Sequence, residues 1–359
     1  MSRFSVAKDR VVTDLESIVE ELLQASRRHL KGGTWNVRNP YRAKSKESQM
    51  VIWTRGDRRG AWKDFVSGET GDAIDLVAFA LTGIVSADSR MTAIAWIEDR
   101  YGLKSMDPAT REKAAAEAKS RRLAAQARDD KRRTAARDRS RRFFYSCQEK
   151  IEGTAVDVYL ASRGIKLAKV PNLGRSLRFH PACEYWREEA RPRFEAMIAA
   201  MVGASGKPGA NHYTFLAPGG HGKAPVEKAK MMFPETSGLV IRLTNGPSGL
   251  SPEQAAEAGT KGPVGITEGI EDALTAAMAE PALRMWAAGS LSGLLTVPDH
   301  AAISSFIVFK DNDWGKPQAT ALFNRAIARL KGFGKPVEVI AVPAAWGKDL
   351  NDAINSGEW

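Results

Sequence analysis

Apolar positions over the last hundred or so residues alternate between short continuous runs and runs at helical spacing. Val264-Gly265-Ile266-Thr267 is a brief apolar run that stops at Glu268. Gly269 then opens a stretch whose apolar positions, Ile270, Leu274 and Met278, fall four residues apart. Phe306-Ile307-Val308-Phe309 is a second buried-strand signal, followed by Asp311-Asn312-Asp313-Trp314-Gly315 and another helical pattern. The series predicts strand, helix, strand, helix, strand, helix, strand, which is an α/β unit on a central parallel sheet.

Upstream the pattern is mixed. Helical spacing over residues 15–30 (Leu15, Ile18, Val19, Leu22, Leu23) gives way at Gly32-Gly33 to three β-type segments at 34–37, 50–53 and 61–65. Asp72 stands where a helix N-terminus favours a carboxylate. Residues 107–142 are rich in Ala, Arg, Lys, Glu and Gln without a wide apolar stripe, which predicts an exposed helical connector, with a nucleic-acid arm as the alternative reading of its basic run. An amphipathic helix is expected over 143–160, strands at 177–180 and 238–243, and a hairpin pairing 196–202 with 211–216. The fold class is therefore multidomain, α/β and α+β.

A net charge of +11 and a pI near 9.6 point to a polyanionic partner, because Lys and Arg release counterions from phosphates. The two cysteines, Cys147 and Cys183, are far apart and lack C-x-x-C spacing, so neither a disulfide framework nor a zinc site is indicated, and a reducing, cytoplasmic setting fits. No apolar run approaches the ~18 residues of a membrane span, and no membrane association is expected.

Ligands of open α/β sheets gather beyond the carboxyl ends of the strands, so Glu268, Asp272, Asp311 and Asp313 should converge. Carboxylates brought together repel unless a cation lies between them, and Mg²⁺ or Mn²⁺ suits oxygen ligands. Between the hairpin and this region lie Lys223, Lys228, Lys230 and Arg242, cations suited to phosphate. Pro218-Gly219-Gly220-His221-Gly222-Lys223 fails the P-loop pattern in its spacing, and Ala224 stands where Ser or Thr would bind Mg²⁺. His212 and His221 are either phosphate or proton-handling groups or structural histidines. On the N-terminal strands, Trp53, Trp62, Arg55 and Lys63 interleave rings with cations, which could stack bases and hold a backbone; the same tryptophans would equally fill a small core.

Glu268-Gly269-Ile270-Glu271-Asp272 and Asp311-Asn312-Asp313 together resemble the two signature motifs of the Toprim domain, shared by DnaG-type primases, topoisomerases and several nucleases. The match covers residues 263–352, and Lys348-Asp349-Leu350-Asn351-Asp352 resembles the third acidic segment. The resemblance implies metal ligation by Glu268, Asp272, Asp311, Asp313 and Asp349, with Glu268, Asp311 and Asp313 central to catalysis. One departure is Gly315, a residue earlier than D-x-D-x-x-G would place it, so the next helix should start at a shifted position near Pro317.

The order helix, three strands, G-D-x-I-D-x-V helix is similar to the N-terminal zinc ribbon of the same primases. The matching ligand places read Arg38-Asn39-Pro40-Tyr41 and Trp62-Lys63-Asp64-Phe65, so no zinc is expected and the tryptophans would hold the ribbon. The implied organisation is a ribbon-like β/α domain (1–104), a basic helical linker (105–142), a basic α+β subdomain (143–258) and a Toprim domain (259–359). The implied function, as in the primase-like Toprim proteins of phages, plasmids and other mobile elements, is primer synthesis from NTPs on single-stranded DNA with a separate helicase or replication protein as partner. The alternatives are a Toprim nuclease using the same carboxylates and a non-catalytic DNA-binding replication or anti-defence accessory.

Overall fold

The computed structural model describes residues 3–43, 46, 49–103, 108–312 and 315–355, without the side chains of 31, 108–112, 114, 115, 117–119, 121, 122 and 344. The chain folds into two compact units, 1–132 and 133–359.

In the first unit, α1 (Arg3–Thr13) and α2 (Leu15–Leu23) precede five short strands. The helix expected to reach residue 30 stops at Leu23, because Gln24 takes a left-handed backbone at φ 48°. Strands β1 (Leu30–Lys31), β2 (Thr34–Val37), β3 (Met50–Trp53), β4 (Trp62–Asp64) and β5 (Thr70–Gly71) form an antiparallel sheet in sequence order. Helix α3 (Ala73–Thr82) begins with a capping box: Asp72 accepts from the Ile74 and Asp75 amides, and Asp75 accepts from that of Asp72. It is followed by α4 (Ala87–Arg100).

Trp35 and Trp62 are fully buried, and the Trp62 ring lies 4.6 Å from that of Phe79. Trp62 is thus a core residue here, since its indole has no exposed face for a base. A second device joins the hairpin ends. The buried Asp64 carboxylate accepts from Asn39 Nδ2 (2.8 Å) and the amides of Val66 (2.7 Å) and Ser67 (3.2 Å), and pairs with Arg42. Hydrogen bonds to one carboxylate thus tie the segment at Asn39 and Arg42 to the turn after β4.

Helix α5 (Pro108–Ser146) contains the division between the units. Its last turns pack in the second unit: Ser140 is buried, with its carbonyl accepting from Asn211 Nδ2 at 2.9 Å. The amphipathic helix expected over 143–160 is broken. Residues 147–154 leave helical geometry, with Gly153 at φ 73°, before α6 (Ala155–Ser162) starts on a Thr154 cap. Gln148 instead bridges to Phe179, so a loop of that segment joins the sheet.

Strands β6 (Leu177–Glu184), β7 (Arg193–Val202), β8 (Pro208–Phe215) and β9 (Lys230–Phe233) form an antiparallel sheet, with Ala196 opposite Phe215 in the expected hairpin. The strand expected over 238–243 is reduced to β10 (Ile241–Arg242), preceded by a single bridge from Val240 to Val202.

After α7 (Pro252–Glu257) come β11 (Gly262–Thr267), α8 (Ile270–Ala279), β12 (Arg284–Ala287), α9 (Leu291–Leu294), β13 (Ile303–Lys310), α10 (Pro317–Lys331), β14 (Val337–Ala341) and α11 (Leu350–Asn355). The sheet order is β10-β12-β11-β13-β14, parallel except for β10. Side chains alternate across it. Val264, Ile266, Trp286, Phe306 and Val308 face a core with Phe323, Ala326 and Leu330 of α10. Met285, Ala287 and Phe309 face another with Ile270, Ala273 and Leu274 of α8, Tyr159 of α6, and Met197 and Met201 of β7. Gly265 is needed on that second face, where a Cβ would stand 2.3 Å from Met285 Sδ. The middle subdomain and the parallel sheet therefore share one core. Helix α10 begins at Pro317 in its first position, the shifted start expected from the early Gly315.

Candidate functional site

Strand β11 lies between β12 on one side and β13 on the other, with α8 and α10 on opposite faces of the sheet. This is a topological switch point, where two neighbouring strand ends part and leave a crevice. Glu268 follows β11 and Asp311 follows β13, and both line a crevice with Lys310, Leu291, Leu294, Phe309 and Phe323. Asp272 sits in the first turn of α8, nearly buried, and accepts from the Asn351 amide at 3.0 Å. Asp349 caps α11 by accepting from the Asp352 amide at 3.0 Å. Asn312 stitches the two acidic loops together: its amide donates to the Lys348 carbonyl (2.7 Å), and its Nδ2 to that of Gly347 (2.8 Å).

The electrostatics place these groups in one field. Burial pushes the Asp311 carboxyl up to about 8, helped by the charges of Asp272, Glu268 and Asp349 and opposed by Lys348. Burial also raises Asp272, to about 7, with Asp349 next in effect and the Asn351 hydrogen bond opposing. Each carboxylate thus makes its neighbour harder to ionise, and a cation among them would relieve that cost. The donor chemistry, hard carboxylate oxygen, fits a divalent ion. Among the described residues no three acidic, His or Cys side chains already stand close enough to hold one, and Asp313 lies outside the described residues.

The cations come from the middle subdomain. Lys230 Nζ lies 2.9 Å from Glu271 Oε2, and the Tyr159 hydroxyl donates to Glu271 Oε1 at 2.5 Å. Burial alone would raise the Glu271 carboxyl; Lys230 and the tyrosine outweigh it and hold it at about 2. Lys223 is shifted down by burial and then by Lys230 and Arg163, with Glu271 and Asp349 opposing. Lys223, Lys230 and Arg163 therefore share the field of the acidic loops. His212 is buried between β7 and β9 and pushed down to about 4 by burial and Lys230.

Residues 263–358 match the Toprim domain family, and residues 134–243 match a domain of unknown function, DUF7146. The C-terminal segment is a Toprim domain. No curated protein matches the chain. Among solved structures it is similar to the primase fragment of the bacteriophage T7 primase-helicase protein (13% identity, TM-score 0.35, covering 55% of this chain and 69% of that one). It is similar also to a DNA primase domain from Pseudomonas aeruginosa (13%, 0.41, 61% and 74%) and to a DnaG primase catalytic domain bound to ssDNA (13%, 0.39, 60% and 73%).

Within the Toprim domain, Glu268 and Asp311 line one crevice at the switch point, Asp272 and Asp349 act on Asp311 electrostatically, and Lys223 feels the charges of Lys230 and Asp349. Other residues singled out from the sequence do not join this group. Arg242 is buried, with its guanidinium committed to Glu253 (2.5 Å) and the Gly203 carbonyl (2.7 Å) above the Trp286 ring. Lys228 is exposed, and its amide donates to the Tyr185 hydroxyl. In the first unit, Trp53 is half-buried under Arg58, Lys63 lies over the Phe65 ring, and Arg55 is exposed. The glycine-rich turn has a packing origin: at Gly220, φ 79°, a Cβ would stand 2.0 Å from the Ala155 carbonyl oxygen.

Glu271, Tyr159 and Asn351 are the contributors that sequence pattern did not single out. A signal existed for one of them. Glu271 lies among the apolar positions of α8, where a buried carboxylate requires a partner. Its partners come from β9 and α6, too far along the chain for spacing to reveal.

Proposed function

We propose that this protein is a primase-like nucleotidyltransferase that extends short primers on single-stranded DNA. The observation that carries the proposal is the convergence of four Toprim carboxylates with Lys223 and Lys230 of the neighbouring subdomain. Toprim domains generally bind divalent metals, and Glu268, Asp272, Asp311 and Asp349, with Asp313, are the residues that would hold Mg²⁺ or Mn²⁺ here. Such ions neutralise charge on a triphosphate and its leaving pyrophosphate.

The remaining work falls to the chain's own side chains. Lys230, oriented by Glu271, presents a fixed positive charge to phosphate, and Lys223 adds a second. Glu268, at the crevice mouth, is a ligand or the acceptor of the proton that an attacking 3′-hydroxyl gives up. Asn312 and Asn351 hold the two acidic loops and α8 in register, so that these groups need not reorganise on binding. NTPs and single-stranded DNA are the corresponding substrates, and a separate helicase is the expected partner.

Purified protein with labelled NTPs, single-stranded template and Mg²⁺ or Mn²⁺ should yield template-dependent short oligomers, lost in Asp311→Asn. Shortened template without oligomers would replace this proposal with phosphodiester cleavage. Binding without either product would replace it with an accessory role.

A further inference from the structure

At the other end of the parallel strands from Glu268 and Asp311, positive charge is buried with too little negative charge to match it. Arg284 opens β12 and His300 precedes β13, so both lie at the amino ends, about 20 Å from the acidic loops by the length of β11. Arg242 of β10 is the cross-strand neighbour of Trp286, which stands two residues beyond Arg284. All three therefore share one face of the β10–β12 ladder. Arg242 and Arg284 are only 9% and 4% exposed, and Glu253 of α7 is the carboxylate that acts on both. The neighbouring Asp299 is taken by Lys335.

We propose that Arg242, Arg284 and His300 form a binding site for a phosphate dianion, and that Glu253 is an internal anion which phosphate displaces. The site is separate from the Toprim carboxylates and independent of whether they polymerise.

Charge is the first reason. A carboxylate carries one negative charge and leaves one of the two buried guanidiniums uncompensated, whereas a phosphate group near −2 matches both. Hydrogen bonding is the second. Arg242 Nε, Arg284 Nε and Trp286 Nε1 are buried without a partner among the described residues. All three are donors, so the place is short of acceptor oxygens, which phosphate supplies in a form suited to arginine. The third reason is His300, whose ring is kept neutral by burial and then by Arg242, with Glu253 opposing. Its Nδ1 accepts from the Ala302 amide at 3.1 Å, which leaves the ring proton on Nε2, 3.8 Å from Glu253 Oε1. A further N–H is thus available where the carboxylate now stands.

Glu253 is the part free to leave. It belongs to the six-residue α7, keeps 38% of its side chain exposed and meets Arg242 Nη1 at 2.5 Å. The arginines are held from behind: Arg242 Nη2 donates to the Gly203 carbonyl at 2.7 Å, and Arg284 Nη2 to that of Leu250 at 3.2 Å. Gly206, at φ 72°, lies against the carboxylate, where a Cβ would stand 2.7 Å from Glu253 Oε1.

The test titrates the full chain with inorganic phosphate, AMP and acetate at pH 8 by isothermal titration calorimetry, in EDTA to silence metal-dependent binding at the Toprim carboxylates. Glu253→Ala removes the competing anion, so it should bind phosphate at least tenfold more tightly than the wild type does, and acetate at least tenfold more weakly than phosphate. Adding Arg284→Gln should abolish the gain, with circular dichroism checking the fold; His300→Ala, a milder change, should reduce it several-fold. Adding Asp311→Asn should leave it intact. The proposal is overturned by no gain in Glu253→Ala, by acetate binding as well as phosphate, by a gain that survives both the Arg284 and His300 changes, or by one that disappears with Asp311→Asn. AMP binding more tightly than inorganic phosphate assigns the site to a nucleotide phosphate, and equal binding assigns it to phosphate itself.

Discussion

The Lys230 ammonium and the Glu271 carboxylate, 2.9 Å apart, join strand β9 of the middle subdomain to the first turn of the Toprim helix α8. Glu271 is almost fully buried while Lys230 keeps about a third of its side chain exposed, so the two partners are unequal. Removing the lysine strands a buried carboxylate with only Tyr159 to satisfy it. Removing the carboxylate leaves an ammonium that water can reach. Lys230→Ala should therefore cost about 3 kcal/mol and Glu271→Gln about 1–2 kcal/mol, with the double variant well short of their sum. A urea-denaturation double-mutant cycle measures this, and simple additivity would show that the pair does not act as a unit.

Asp311 and Asp272 each resist ionisation because of burial and neighbouring carboxylates. Asp311→Asn relieves that repulsion, so in EDTA at pH 8 this variant should melt a few degrees above the wild type, a change of about 1 kcal/mol. Addition of Mn²⁺ should raise the wild-type melting temperature and leave the variant unchanged. A variant that melts lower in EDTA, or that still responds fully to Mn²⁺, would remove Asp311 from the cation site.

The first unit depends on Asp64. Asp64→Ala withdraws the acceptor used by Asn39, Val66, Ser67 and Arg42 together, and should cost about 3 kcal/mol of that unit's stability. Asn39→Ala should cost about 1 kcal/mol, because the carboxylate retains its other partners. Hydrogen exchange over residues 34–71 follows the unit directly; an unchanged profile for Asp64→Ala would mean that Trp35 and Trp62 hold the sheet unaided.

His212 has a pH signature of definite sign. Its folded value near 4 lies below the unfolded value of ~6.5, because burial and then Lys230 disfavour the imidazolium, with Lys223 adding to this and Glu271 opposing. As pH falls below 6.5 the unfolded chain takes the proton first, so stability present above that value is lost progressively towards pH 4, by about 3 kcal/mol in all. Urea midpoints at pH 7, 5.5 and 4.5 for wild type and His212→Gln should converge as the pH falls. Parallel curves would show that the imidazole titrates normally in the fold.

Local chemistry determined much of this protein from sequence alone. The strands at 34–37 and 50–53, the Asp72 cap, the paired segments around 196–202 and 211–216, and the strand–helix alternation after residue 262 all follow from side-chain periodicity and cap chemistry, which act over a few residues. Glu268 and Asp311 were legible for the same reason: an acid directly after a buried strand is placed by that strand. Tertiary structure decided what depends on distant partners. Residues 143–160 carry helical spacing, yet Gln148 pairs with Phe179 and breaks the helix. Arg242 and Trp62 have the residue types of phosphate and base contacts, yet one is claimed by Glu253 and the other by Phe79 and the core. The pairing of Glu271 with Lys230 and Tyr159 belongs to this second group. A buried charge is tolerated only where its counterpart arrives, and here the counterparts come from 41 and 112 residues away in the chain.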